Sequence, residues 1–446
     1  MRDWSAERLA AAAGARLLRD APGGPSRVSV DSREVAPGDL FVGLGGVHQD
    51  GGLFTKQALE AGAWGALVKP RYAADADRGA VLEHADPLAG LQALANAWRR
   101  ELGATVVGIT GSTGKTSTKD ILAALLGPHR RTVASPLNMN TEIGVPMAIL
   151  GAPAGTEVLV LELAMRGAGQ IAELARIAEP EIGVIVNIGP AHLELLGSLE
   201  AVAATKAELL AALPPAGTAI IPADEPLLDA HRPAAPRVVT FGPGGDVSVA
   251  AVSDDGVELD VFGEPRLLEP GFRSAHLLSD LCAAVAAAES LGVSPAGTID
   301  VELAPLRGER VALAGGVTLI NDCYNANPAS MAAALADLAT DANAVRRVAV
   351  LGDMLELGRA APAYHETLGE QATDARVLLL VTVGPLAQLA GEAFLGGEHF
   401  HAQDAEHAAA IIEPLLQRGD LVLVKGSRGV GLERVARRLV MIRAGA

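Results

Sequence analysis

The chain has 446 residues, 50% of them hydrophobic, which is enough for about three globular units of roughly 150 residues and too apolar for a disordered tail. Lys+Arg 36 against Asp+Glu 53 leaves a net charge of -17, which repels a nucleic-acid backbone and an anionic membrane face alike. Two cysteines, Cys282 and Cys323, are too few for a disulfide framework or a cysteine-rich metal site, and no apolar run approaches the roughly 20 residues of a membrane-spanning helix.

The start Met1-Arg-Asp-Trp lacks a signal-peptide pattern, so a cytoplasmic protein without membrane insertion is expected. From Arg27 to Val68 the pattern predicts a small α/β unit: a strand at Val28 to Ser32, the turn Ala36-Pro-Gly-Asp39, a strand at Leu40 to Leu44, a helix from Phe54 to Gly62 and a strand at Ala66 to Val68. An amphipathic helix, Pro87 to Glu101, leads into the β-branched run Thr105 to Thr110, which reads as a buried parallel strand. Strands at Val158 to Glu162 and Ile182 to Asn187 then alternate with helices at Gly169 to Ala178 and Leu199 to Leu213. That alternation predicts a doubly wound parallel sheet.

Val238 to Pro270, rich in valine and glycine, is expected as an appended antiparallel patch, and Ser274 to Leu291 as an alanine-rich helix. A third α/β pattern follows the turn at Pro305-Leu-Arg-Gly308, with strands at Val317 to Asn321, Arg347 to Leu351, Val377 to Val383 and Leu421 to Val424. Three α/β domains result, at 1–102, 103–306 and 307–446.

The strongest local signal is Gly108-Ile-Thr-Gly111-Ser112-Thr113-Gly114-Lys115-Thr116-Ser117, where a buried strand runs through glycines into a helix. Backbone N–H groups and a helix N-terminus there favour phosphate; Lys115 would neutralise it and the Thr116 hydroxyl would ligate Mg²⁺. The spacing departs from the common phosphate loop, since Ile109 stands where the first glycine is usual. The loop predicts ATP or GTP binding.

Glu162, at the carboxyl end of its strand, is either a Mg²⁺ ligand, direct or through water, or a helix-capping or surface carboxylate. His192 follows Ile188-Gly-Pro190 at the same sheet edge and is either a ligand or a structural histidine. Lys206 reads as a solvated helix-face charge or as a functional amine. Only six of the 36 basic residues are lysine, which makes a lysine informative where arginine cannot serve. Asn138-Met-Asn140-Thr-Glu142 leads as a polar turn into an apolar helix. A nucleotide-gated switch could use the same loop, but it has no need of Glu162, His192 and Lys206 together.

Further segments extend the pattern: Asp31-Ser32-Arg33 with Pro37-Gly-Asp-Leu-Phe41; Asn187-Ile-Gly-Pro-Ala-His192; Asn321-Asp-Cys-Tyr-Asn325-Ala-Asn327-Pro328; Leu351-Gly-Asp353-Met-Leu-Glu356-Leu-Gly358; and Val424-Lys425-Gly-Ser-Arg428. In this order and over nearly the whole chain they resemble the Mur ligase family, ATP-dependent amide-forming enzymes of bacterial cell-wall synthesis. The resemblance is strongest to the branch that joins D-alanyl-D-alanine to UDP-N-acetylmuramoyl-tripeptide. It implies an N-terminal UDP-binding domain, a central ATPase and a C-terminal Rossmann-like domain, working as a monomer. It also implies that Gly111 to Ser117, with Asn138, Asp280, Asp322, Asn325 and Asn327, hold the nucleotide. Thr116 with Glu162 would bind one Mg²⁺, and His192 with a Lys206 carbamylated by CO₂ a second. Lys115, His192 and Lys206 would then be catalytic. Ser32, Arg33, Asp353 and Lys425 are expected near the substrate, and His365 at the surface. The chain departs from the family pattern at Gly52, where a histidine is usual, and at Leu277 and Asp280, where asparagines are usual.

Overall fold

The computed structural model describes Met1–Ala444 except Arg2, Asp75, Leu137, Ala235 and Asn343, and arranges the chain around three sheets. In the five-stranded first sheet, Gly65–Val68 and Asp39–Val42 form the middle, flanked by Ala80–Glu83 and Arg27–Ser29 in parallel, with Arg16–Arg19 antiparallel at one edge. The expected helix from Phe54 starts instead as a 3-10 turn at Gly51–Phe54, because the Asp50 carboxylate accepts the Gly52 N–H at 3.0 Å and tightens the entry, and continues as Thr55–Glu60.

The ten-stranded central sheet sets Thr105–Thr110 between Ile182–Ile185 and Val158–Glu162, all parallel, with every residue but Thr105 buried. After Thr110 the chain builds Thr132–Ala134 and Val158–Glu162 on one side and then crosses to Ile182–Ile185 on the other, so the loop after Thr110 opens at a topological switch point, where open α/β sheets bind ligands. One expectation is corrected here. Arg237–Phe241, placed in the antiparallel patch, pairs in parallel with Thr218–Pro222 and extends the doubly wound sheet; only Val247–Ser253, Gly256–Val261 and Glu264–Glu269 form the antiparallel meander. The helix Ala275–Ser290 seals this sheet with an almost wholly buried alanine-rich body that packs on the phosphate-loop helix Lys115–Leu126. Alanine serves because small side chains let two helices approach closely.

The third sheet has six strands, with Val317–Asp322, Asp420–Lys425, Arg346–Gly352, Val377–Val383 and Glu398–Ala402 parallel and Glu309–Leu313 antiparallel at the edge. Helices cover both faces, and two apolar clusters lie on the two sides, one around Val350 and Val381 and the other around Leu351 and Leu380. Both cysteines are buried, and no helix among the described residues is long and apolar enough to cross a membrane.

Candidate active site

The phosphate loop is fixed by a neighbouring strand end before any ligand enters. Asn187 Oδ1 accepts from the N–H groups of Ser112 and Thr113 at 3.1 and 3.0 Å, and its Nδ2 donates to Thr113 Oγ1 at 2.8 Å. Ser112 Oγ donates to the Gly189 carbonyl at 2.9 Å. Gly114 has φ +75, and a Cβ there would stand 2.3 Å from Asp280 Oδ1, so both dihedral and space require glycine. The helix then starts at Lys115, and Lys115 Nζ folds back onto the Gly111 carbonyl at 2.8 Å.

Beside the loop, Thr116 Oγ1 donates to Glu162 Oε2 at 2.7 Å, and Asn140 Nδ2 donates to Glu162 Oε1 at 2.9 Å. Glu162 is buried, and Ser135 Oγ accepts its N–H at 3.1 Å. A capping role is therefore absent: the carboxylate points at the phosphate-loop threonine. A hydroxyl and a buried carboxylate side by side form a hard oxygen donor set that suits Mg²⁺. Among the described residues no cluster of three or more His, Cys, Asp and Glu side chains forms a metal cage.

Lys206 lies on the helix Leu199–Ala211 and is 2% exposed, which overturns the reading of a solvated helix-face charge. No carboxylate pairs with it among the described residues, and burial, with Lys115 nearby, pushes its pKa well below the lysine range. Burial likewise lowers Lys115, against an opposing pull from Glu162. His192, at the start of the helix Leu193–Leu196, is lowered by burial, although Glu356 pulls the other way. Two amines and an imidazole thus lie near enough to act on one another, and burial drives each toward its neutral form.

The third sheet contributes the facing wall of a cavity of about 930 Å³ lined by Ser112 to Ser117, Glu162, His192, Asp280, Asp322, Asn325, Asn327 and Lys425. Asn327 caps the helix Pro328–Thr340 and reaches the Ser112 carbonyl at 3.4 Å. Lys425 Nζ donates to Asp322 Oδ2 at 2.6 Å and to the Asn325 carbonyl at 3.1 Å. Tyr324 OH donates to Asn138 Oδ1, which places Asn138 at this junction. His276 Nδ1 meets Asp337 Oδ2 at 3.1 Å across the same gap; burial lowers the histidine's pKa, but Asp337 and other nearby acids leave it raised.

Not every expected residue belongs to this cavity. Ser32 and Arg33 stand outside it in the N-terminal unit, where the Arg33 guanidinium forks onto Asp31 at 2.9 and 2.5 Å. Asp353 is buried away from it, with Oδ1 accepting the N–H groups of Leu386 and Ala387 at 3.0 and 2.7 Å. His365 is not at the surface. It is fully buried, because its Nδ1 donates to the Ala361 carbonyl at 2.7 Å while Nε2 accepts the Met354 N–H at 2.9 Å.

Sequence reasoning missed Arg307, which lines the cavity with its guanidinium 4.0 Å over the Tyr324 ring and its Nε buried without a partner. In the sequence it is marked only as part of the turn Pro305-Leu-Arg-Gly308. A lone arginine beside a glycine gives no signal until the tyrosine that receives it, many residues later, is placed. Arg166 also lines the cavity and was not singled out.

Comparison with known proteins agrees with this geometry. Residues 109–288 match the Mur ligase middle domain and 306–428 the Mur ligase glutamate ligase domain. A UDP-N-acetylmuramoyl-tripeptide--D-alanyl-D-alanine ligase of Mycobacterium tuberculosis (strain CDC 1551 / Oshkosh) is 38% identical over 93% of this chain and 92% of its own. The crystal structure of MurF from Acinetobacter baumannii superimposes with a TM-score of 0.89 at 29% identity, over 98% of this chain and 99% of that one. MurF ligase from Thermotoga maritima in complex with ADP gives 0.83 at 30% identity, over 94% and 98%. With both domain models matched in order and a relative of this identity spanning nearly its full length, the chain belongs to the Mur ligase family.

Proposed function

We propose that the chain joins D-alanyl-D-alanine to UDP-N-acetylmuramoyl-tripeptide, using ATP to activate the tripeptide's terminal carboxylate, as a monomer in the cytoplasm. The observation that carries the reading is the convergence of Lys115, Thr116, Glu162 and His192 on one cavity, with Lys206 buried beside them.

In this reading the loop N–H groups and Lys115 receive the ATP phosphates, with Lys115 Nζ released from the Gly111 carbonyl. Asp280, Asn138 and the wall of Asp322, Asn325 and Asn327 enclose the rest of the nucleotide. Thr116 and Glu162 would hold one Mg²⁺, and His192 with a carbamylated Lys206 another. Bound there, the two ions would offset the repulsion between the γ-phosphate and an approaching carboxylate.

The low pKa of Lys206 supports the modification, because only a neutral amine adds CO₂. The nitrogen lone pair forms the N–C bond and an N–H proton leaves, so a buried neutral amine becomes a carbamate whose single negative charge is shared by two oxygens. That also gives the unpaired lysine a charge suited to Lys115 nearby.

The carboxylate then attacks the γ-phosphorus, forming an acyl phosphate and releasing ADP. The amine of the dipeptide adds to the acyl carbon, loses a proton and expels phosphate as the amide forms. Water competes for the same carbon, and the wall formed by Asn327, Tyr324 and Lys425 limits its entry. At the far end Ser32 and Arg33 would hold the uridine diphosphate. The Asp353 carboxylate, occupied by two N–H groups, serves to shape its loop, and Lys425 orients Asp322 and Asn325.

The test crosses UDP-muramoyl tripeptides ending in diaminopimelate or lysine with free amino acids and dipeptides, reading phosphate release and product mass. Phosphate should appear only when nucleotide-peptide and D-alanyl-D-alanine are both present. Equal release from ATP alone would replace the ligase with an ATPase or switch.

A further inference from the structure

His192 and Glu356 come from the central and third sheets, and their side chains meet at 2.6 Å through His192 Nδ1 and Glu356 Oε2. Both are non-glycine residues with positive φ, +57 and +64, a region that costs a residue with a Cβ unless its surroundings impose it. The main chains meet as well. The Glu194 N–H donates to the Glu356 carbonyl at 3.2 Å, and a Cβ on Gly358 would lie 3.1 Å from Glu194 Cα.

The loop that carries Glu356 is braced from within its own unit. His365 accepts the Met354 N–H at 2.9 Å, Ser427 Oγ accepts the Leu355 N–H at 2.9 Å, and the Ser427 N–H donates to the Asp353 carbonyl at 3.0 Å. A carboxylate delivered on such a loop has a fixed position. Ionised, it can only accept, so the proton resides on Nδ1 and the lone pair on Nε2 is left free. A neutral imidazole held in this way is a ready cation ligand, and a carboxylate behind it sets both tautomer and ring direction.

We propose that Glu356 is a positioning residue that fixes the tautomer and orientation of His192 across the junction of the two units, so that the cation place beside Lys206 is complete only when those units touch. The part concerning a cation rests on the function proposed above; the part concerning the tautomer does not.

Two measurements on the full-length protein test it. Ring ¹⁵N NMR of histidine-labelled protein, with His192 assigned through His192→Gln, is expected to show Nδ1–H in the parent. That preference should be lost in Glu356→Ala and retained in Glu356→Gln, whose Oε1 still accepts. Mn²⁺ titration followed by electron paramagnetic resonance, with a non-hydrolysable ATP analogue present, is expected to show one Mn²⁺ weakened about 10- to 100-fold in Glu356→Ala and much less in Glu356→Gln. Thermal melts confirm that each variant is folded, and Glu356→Gln keeps the test open if Glu356→Ala is not. An unchanged tautomer and unchanged Mn²⁺ affinity in Glu356→Ala, or a parent in the Nε2–H form, overturns the proposal. A His192→Ala protein that binds as many Mn²⁺ as the parent removes the cation reading of this place, and the NMR result still decides whether Glu356 orients the ring.

Discussion

Ser117 Oγ donates to Asp280 Oδ2 at 2.6 Å, which sets a buried carboxyl against the first turn of the phosphate-loop helix. Burial raises this carboxyl from 3.8 to about 6, against the opposing hydrogen bond from Ser117. Between those values the folded protein keeps a proton that the unfolded chain gives up, so stability falls as pH rises through the window, and the penalty is complete above it. The neutral isostere Asp280→Asn is expected to gain up to about 3 kcal/mol at pH 7, at about 1.4 kcal/mol for each tenfold change in proton affinity, and nothing below pH ~4. Urea unfolding at pH 4, 5.5 and 7 reads this. A pH-independent difference would rule out the carboxyl as its source. The same variant is expected to lower KM for ATP most at pH 8, where the parent carries a second negative charge beside the phosphates.

His365 provides a titration of the opposite sign. Burial lowers its pKa from 6.5, so on acidification the unfolded chain takes up the proton first and stability is lost as pH falls below that value. His365→Ala is expected to cost about 1–3 kcal/mol at pH 7, because the Met354 N–H loses its acceptor. It should also flatten the stability curve between pH 5 and 6.5. Thermal melts across that range check both.

Lys206→Ala is expected to lose most activity, a fall of about 100-fold or more in kcat, and to remain folded, since it removes an unpaired buried amine. Millimolar formate or acetate should restore part of the rate by supplying carboxylate oxygens. Lys206→Arg should not be rescued, because a guanidinium neither adds CO₂ nor leaves room for the added anion. Full activity of Lys206→Ala in carboxylate-free buffer would end the carbamate reading.

Gly114→Ala tests the phosphate loop through its backbone. With φ +75 and the new methyl 2.3 Å from Asp280 Oδ1, the helix start must shift. The expected cost is about 1–3 kcal/mol together with loss of ATP binding, read by calorimetry against the parent.

How far the sequence alone carries depends on the range of the interaction. The phosphate loop is legible because strand, glycines, lysine and helix are contiguous, and each does its work within a few residues. Lys206 is half legible: the scarcity of lysine marks it, but only the packed helix shows that it is buried and unpaired. His365 is illegible, since its helix is amphipathic in either case and its deciding partner is a backbone N–H in another loop. Arg237–Phe241 departs from its expected antiparallel pairing for a similar reason. Its composition suits any strand, and direction is set by Thr218–Pro222, which carries no local mark of its own. Tyr324 with Arg307 and Asn138 is the extreme case, three residues from distant segments whose meeting defines a cavity wall.

The double engagement of Asn327 limits what can replace it. Its Oδ1 takes the Ser330 N–H at 2.9 Å to begin a helix, while its Nδ2 reaches the Ser112 carbonyl on the opposite wall. Aspartate would satisfy the first task and fail the second, having no hydrogen to give; serine could donate but is too short to serve both directions at once. Drift at this position is thereby confined by two unrelated demands, one from a helix that must start and one from a loop that must stay in register with it.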